Sequence, residues 1–166
     1  DPTQNYQGYE DWLKETGYFE LQIEGLNSVF KLPSDIDIFV VECGVDEFGP
    51  ISNAFYGENQ IVICYELIAE TDDRFTKYYE REFGYDWTVQ KQIDDWNYSL
   101  INVIEHTLYH ELGHALLDVY DITFSGKEEN VADQFASYYS LDFVYEDDPE
   151  NIIGQDVMLD TAWNYW

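Results

Sequence analysis

The sequence predicts an α+β fold, in which a small twisted sheet with an edge hairpin packs on a long helix and further helices follow. Three short segments carry this prediction: IDIFVVECG at 36–44, NAFY at 53–56 and IVICY at 61–65. The first is rich in β-branched residues, and the turn-like GENQ separates the other two, as expected for a hairpin. Beyond residue 65 the apolar residues recur at helical spacing, and strands followed by a run of helices are typical of the α+β class.

The predicted elements follow in chain order. Apolar residues at mixed helical spacing predict a first helix over 9–31, ended by Leu32-Pro33 because proline disfavours a helical conformation in the residue before it. The strand at 36–44 and the hairpin come next. Four further helices are predicted, at 66–82, 89–119, 128–143 and 151–163.

The two cysteines, Cys43 and Cys64, allow two interpretations. They would be free thiols in a cytosolic protein, or a disulfide in an exported one. If the 36–43 segment lies beside 61–65, both cysteines fall near the ends of neighbouring strands, where a bridge is sterically possible. This favours the disulfide. The sequence begins at Asp1 without methionine, so either a leader has been removed or the sequence is trimmed. Together with the favoured disulfide, this leads us to expect a secreted or periplasmic bacterial protein with its leader removed.

Composition limits the classes of partner. The 166 residues contain no repeat or linker, which predicts a single domain over 1–166. With 35 acidic and 7 basic residues the formal charge is −28. Such a surface repels phosphate backbones and anionic lipids, so no nucleic-acid partner is expected, and no apolar run is long enough for membrane insertion. A surface of this charge attracts basic peptides, and it is compatible with a saline environment in which salt screens the repulsion between acidic side chains.

All three histidines lie in HTLYHELGHALL, residues 106–117. On a helix His110 and His114 are one turn apart, which allows both imidazoles to bind one zinc ion. His106 lies about 12 Å along the axis from His114, too far for a shared ion. Glu111 completes a His-Glu-x-x-His motif, in which the glutamate acts on water rather than on the metal. Gly113 indicates a close approach by another backbone.

A further metal ligand is expected from EENVADQFA, residues 128–136, which supplies Glu128, Glu129 and Asp133. Glu129 and Asp133 share one helix face with small alanines, which allows close helix packing. Glu129 can then bind the metal, while Asp133 accepts the outward N–H of a ligand histidine. The competing interpretation is that these carboxylates form one more solvated patch of an acidic protein.

HELGHAL followed by E-x-x-A-D-x-F-A resembles the gluzincin class of zinc peptidases, and Asn53-Ala54-Phe55-Tyr56 resembles the edge strand of thermolysin-like peptidases. Over roughly 20–145 the combination is most similar to an uncharacterised bacterial family of metallopeptidases. The resemblance implies a minimal zincin-like fold, one Zn²⁺ per chain, Glu129 as third ligand and Glu111 as general base. It also implies that the Asn53 amide and the Ala54 carbonyl bind the main chain of a peptide or protein substrate.

One departure from the thermolysin-like pattern concerns the tyrosine and histidine that stabilise the oxyanion. No histidine follows His114, so one of the fifteen tyrosines must take this role or the role is absent. Two functions therefore stay open: a zinc-dependent endopeptidase, and a non-catalytic module that binds zinc or peptides and keeps the zincin fold.

Overall fold

The computed structural model of the protein describes residues 3–144 and 152–165. The chain divides into two compact units, Asp1–Ala69 with Ala115–Ile122, and Glu70–His114 with Thr123–Trp166. The prediction of a mixed α+β fold is confirmed, whereas that of one domain over the whole chain stays a prediction.

The described elements are α1 (Gln7–Thr16), α2 (Tyr18–Val29), β1 (Asp37–Val41), β2 (Val45–Asp46), β3 (Gly49–Pro50), β4 (Ala54–Gly57), β5 (Gln60–Cys64), α3 (Tyr65–Phe83), α4 (Gln90–Val119), α5 (Glu128–Tyr138), a π-helix (Tyr139–Val144) and α6 (Ile152–Tyr165).

The single helix predicted over 9–31 is wrong, because the structure has two helices that meet at Gly17. Gly17 adopts the left-handed conformation with φ of 59°, and its N–H bonds to the carbonyl of Leu13. Glycine takes this conformation without a steric penalty, which is why helices commonly end there. The apolar spacing continues past Gly17, so periodicity alone did not show the break.

The sheet of the first unit has three strands in the order β1-β5-β4. β1 runs parallel to β5, with Val41 beside Cys64, and β4 pairs antiparallel with β5 as the predicted hairpin. Ile61 and Ile63 project from β5 into the core and are fully buried. This arrangement confirms both the hairpin and the neighbouring position of the first strand, and it leaves β4 at one edge of the sheet.

The first strand ends at Val41 rather than at residue 44, and a buried carboxylate explains the early end. The N–H groups of Cys43 and Gly44 donate to Glu66 at 3.0 and 2.6 Å, so they do not continue a strand ladder. Cys43 and Cys64 form the expected disulfide, with Cα atoms 5.5 Å apart. Because both sulfurs are bonded to each other, the group of Cys43, Cys64 and Glu66 is structural and offers no thiolate to a metal.

The sequence did not predict the short antiparallel pair of strands β2 and β3. Val45 lies opposite Pro50, and Asp46 lies opposite Gly49, in the β2–β3 pair. Two residues per strand are too few to show a period of two, so no apolar alternation marks them.

The second unit is helical and has its own apolar core. Its fully buried or nearly fully buried side chains include Phe75, Leu100, Val103, Leu108, Tyr109, Ala132, Ala136 and Val157. The predicted helices at 66–82 and 89–119 match α3 and α4 within one residue. The helix predicted over 128–143 is α-helical to Tyr138 and continues as the π-helix. The last predicted helix corresponds to α6, although residue 151 lies outside the described residues.

Within the part of the chain that the structure describes, no helix has the length and apolar character needed to cross a membrane.

Candidate metal centre

The candidate metal centre lies in the second unit and begins with two histidines of α4. His110 and His114 are one helical turn apart, and their Nε2 atoms lie 3.2 Å from each other. Leu108 and Tyr109, on other faces of the same helix, are buried in the core. Packing of those neighbours fixes the rotation of α4 and keeps both imidazoles on the face that carries the centre.

α5 supplies a third donor to the same point. Oε2 of Glu129 lies 3.2 Å from Nε2 of His110 and 3.4 Å from Nε2 of His114. Two atoms that each bind a tetrahedral zinc ion at about 2.0–2.1 Å lie about 3.4 Å from each other. His110, His114 and Glu129 form the group able to hold a metal ion, and their donor atoms have the spacing that a tetrahedral ion requires.

Two carboxylates orient the imidazoles from behind. Nδ1 of His110 lies 2.8 Å from Oδ1 of Asp133, and Nδ1 of His114 lies 2.8 Å from Oε1 of Glu128. A carboxylate only accepts hydrogen bonds, so each Nδ1 carries the hydrogen and each Nε2 is the ring atom that faces Glu129. Both Nε2 atoms and Oε2 of Glu129 then converge on one point, as the ligand atoms of a metal ion do. The donor set therefore fits a bound metal.

Asp133 lies beside Nδ1 of His110, the contact that its predicted role requires, and that role as the partner of a metal ligand stays a prediction. Glu128 was one of the three candidate carboxylates of this segment, but the sequence assigned it no contact with a histidine. As the first residue of α5, Glu128 looked like an ordinary acidic residue at a helix start. Nothing in the spacing showed that its side chain would turn towards His114 rather than towards solvent.

We expect Glu128→Ala and Asp133→Asn each to lower zinc affinity about 10–100-fold, as the loss of outer hydrogen-bond partners commonly does. Competition with a chromogenic zinc chelator would measure both affinities. Glu82→Ala is the control, since Glu82 is an exposed carboxylate on α3 that pairs with Arg81. Unchanged affinity in Glu128→Ala would show that the hydrogen bond to His114 contributes nothing.

Gly113 allows a close approach between α4 and α5, the helices that carry the candidate metal ligands. A Cβ atom at this position would lie 2.9 Å from the Cα atom of Ala132, which is fully buried. The sequence predicted such a backbone approach at Gly113, and the structure confirms it. Backbone cannot move aside as a flexible side chain can, so a larger residue here must push the two helices apart.

Gly113→Ala is therefore expected to destabilise the protein and to weaken zinc binding, although alanine favours a helix over glycine by about 1 kcal/mol. The matched control is Gly25→Ala in α2, where an added Cβ meets no atom within 4 Å. That variant should keep zinc affinity and gain stability. Thermal unfolding and zinc titration of both variants would check this, and equal behaviour of the two would refute the close-packing explanation.

Glu111 is buried and follows His110 directly in α4. Its position in the chain matches the glutamate of the predicted motif, while its role in proton transfer stays a prediction. His106 is buried too, and it is not in the group of converging donors. Its Nε2 atom has no hydrogen-bond partner among the described residues.

Burial lowers the pKa of His106 to about 4, and the nearby His110 adds to this, while Asp133 acts in the opposite direction. His106 is therefore neutral at physiological pH. In the unfolded chain its pKa returns to about 6.5, so between pH 6.5 and 4 only the unfolded state binds this proton. The contribution of the neutral residue to stability is complete above pH 6.5 and is lost as the pH falls through this window.

Acidification of the metal-free protein should consequently lower the free energy of unfolding more in the wild type than in His106→Leu. The difference is expected to be on the order of 3 kcal/mol across the whole window. Urea unfolding of both proteins at several pH values would measure it. Parallel curves would mean that His106 is not buried as a neutral base.

Asn53 and Ala54 lie in the first unit, at the edge strand of the sheet. The carbonyl of Asn53 accepts the N–H of Cys64, which turns it towards β5. Because hydrogen-bonded and non-hydrogen-bonded pairs alternate in an antiparallel ladder, the N–H and C=O of Ala54 point away from β5. The main-chain groups of Ala54 therefore point away from β5, although the residue is buried with 8% of its surface exposed, whereas the carbonyl of Asn53 is already bonded to Cys64.

Tyr56, two residues along the same strand, was not singled out from the sequence. Its hydroxyl donates to Oδ2 of Asp118 at 2.7 Å. Burial, the hydrogen bond and the charge of Asp118 raise the pKa of Tyr56 to about 12, so the phenol stays protonated. This contact holds the edge strand to the last turns of α4 within the first unit.

A protein-family model described as "Putative metallopeptidase" matches residues 1–166. The chain belongs to this metallopeptidase family. Comparisons with curated proteins and with solved structures gave no match. The family agrees with the presence of a group able to hold a metal ion, and a peptidase family implies peptide or protein chains as the class of substrate.

Proposed function

We propose that this metallopeptidase is a zinc-dependent endopeptidase in which His110, His114 and Glu129 hold one zinc ion. The observation that carries the proposal is the mutual spacing of 3.2–3.4 Å between Nε2 of the two histidines and Oε2 of Glu129. Two imidazoles and one carboxylate are a donor set of catalytic zinc sites, which keep a fourth position for water or substrate. Held by these three residues, zinc would act as a Lewis acid that polarises the scissile carbonyl and would lower the pKa of bound water.

Glu111 acts as the general base in this proposal. It takes a proton from the attacking water and gives it to the leaving amine, which must be protonated to depart. Its place beside His110 on α4 supports the assignment, since a side chain next to a ligand can reach the reacting water without binding the ion. Asp133 and Glu128 hold the two imidazoles in the tautomer that presents Nε2 to the ion.

The substrate is bound as an added strand on β4. The N–H and C=O of Ala54 point away from β5 and would pair with an extended peptide once the groups that cover this buried residue move aside. Asn53 would contribute through its side-chain amide, because its main-chain carbonyl bonds to Cys64. Pairing along an edge strand recognises main chain in the middle of a peptide, which supports an endopeptidase. The formal charge of −28 favours basic substrates.

The disulfide between Cys43 and Cys64 supports a location outside the reducing cytosol. We infer an exported protein, secreted or periplasmic, that acts on peptides or proteins in that compartment. No nucleic acid takes part in this function.

Digestion of a broad peptide library by the zinc-loaded protein tests the proposal. Cleavage that a chelator abolishes and added zinc restores would support it. The Glu111→Gln protein is the control, since it separates cleavage at this site from a contaminating protease. If the zinc-loaded wild type cleaves nothing across a range of salt concentrations, the chain is instead a non-catalytic module that binds zinc or peptides.

A further inference from the structure

A second candidate site lies in the same unit, at the start of α4. A surface cavity of about 400 Å³ is lined by Thr76, Glu80, Trp87, Ile93 and Trp96. Trp96 precedes His110 by 14 residues on one helix, so about 21 Å of helix axis separates them. The cavity is therefore distinct from the metal centre, and its size suits a small ligand or one side chain.

Two indole rings form a corner of the cavity. The ring centroids of Trp87 and Trp96 lie 6.4 Å apart, with planes at 76° to each other. Tyr85 packs against Trp87 at 5.7 Å and stacks on Tyr79 at 4.6 Å, which supports the corner from behind. The two rings meet edge to face and both line the cavity, and indole faces are electron-rich and attract cations.

A carboxylate completes this corner. Nε1 of Trp87 donates to Oε1 of Glu80 at 2.9 Å, which places the negative charge at the edge of the indole ring. The four basic side chains of the described stretch 70–97 are each paired with a carboxylate: Arg74 with Glu70, Lys77 with Asp73, Arg81 with Glu82, and Lys91 with Asp95. Glu80 is thus left to attract a cation from outside the chain.

We propose that this cavity binds an organic cation, an alkylammonium or guanidinium group. One carboxylate and one hydroxyl are too few ligands to replace the water around a small inorganic ion, whereas a quaternary ammonium or guanidinium group is weakly hydrated and can pack against the indole rings. The same chemistry occurs in a free quaternary ammonium solute and in an arginine side chain of a peptide. The site does not depend on zinc or on hydrolysis.

Isothermal titration of the full zinc-loaded chain with choline tests the proposal, compared with the uncharged isostere in which carbon replaces the quaternary nitrogen. Choline should bind saturably, at least about tenfold more tightly than the isostere. A second titration with arginine capped at both ends distinguishes the sources, since tighter binding of that probe would indicate a peptide side chain. Absence of saturable binding for both cations, or equal binding of choline and its isostere, would overturn the proposal.

Variants then locate the binding. Trp87→Leu should lower choline affinity about tenfold, because it removes an indole ring. Trp87→Phe should lower it about threefold, since phenyl is a weaker cation binder than indole. Glu80→Gln should also lower it about threefold, because it removes the negative charge of the cavity. Glu82→Gln removes an equal charge from α3 outside the cavity and should leave affinity unchanged. Zinc content of each variant shows whether the unit is still folded. If Glu82→Gln weakens binding as much as Glu80→Gln, the attraction comes from general surface charge and the proposed site is wrong.

Discussion

Glu111→Gln is expected to keep about one zinc ion per chain while peptide hydrolysis falls about 10²–10⁴-fold. Glutamine preserves the shape of the side chain and removes its basicity, so the loss reports on proton transfer alone. Elemental analysis and a fluorogenic peptide assay on the same samples would measure both quantities. If the variant loses zinc together with activity, Glu111 supports the site structurally; if it keeps full activity, another group is the base.

Removal of a metal ligand is expected to abolish both zinc binding and hydrolysis. Glu129→Ala takes away a carboxylate oxygen that lies within 3.4 Å of both Nε2 atoms, so zinc affinity should fall sharply. His110→Ala and His114→Ala should do the same. The matched control is His106→Ala, which removes a buried imidazole of the same helix that lies about 12 Å along the axis from His114.

Comparison with the outer carboxylates sharpens this test. Glu128 contacts Nδ1 of His114, so Glu128→Ala should retain zinc at saturating concentrations, whereas Glu129→Ala should not. The reverse order would mean that Glu128 binds the metal and that the ligand assignment is shifted by one residue.

The sequence predicted those parts of the centre that depend on helix geometry. The spacing of His110 and His114, and the position of Asp133 four residues after Glu129, place side chains on one helix face with little freedom. The close approach at Gly113 could be predicted because glycine destabilises a helix interior relative to alanine, so its presence there indicates a packing requirement. Each of these residues lies where local periodicity expects it.

Features that depend on tertiary contacts could not be predicted from the sequence. The break at Gly17 lies within a continuous apolar pattern, and the early end of β1 follows from the carboxylate of Glu66, distant in sequence. The turn of Glu128 towards His114 likewise depends on how α5 packs against α4. The corner formed by Trp87 and Trp96 joins a loop residue to a helix residue, and no spacing rule relates the two.

Titration of the metal-free protein with zinc, followed by peptide hydrolysis at each addition, tests the central claim most directly. Activity should rise in proportion to added zinc and stop rising at one equivalent per chain, because a single centre holds the ion that the reaction needs. Hydrolysis that is already complete without metal, or none at one bound equivalent, would contradict a zinc-dependent peptidase built on His110, His114 and Glu129.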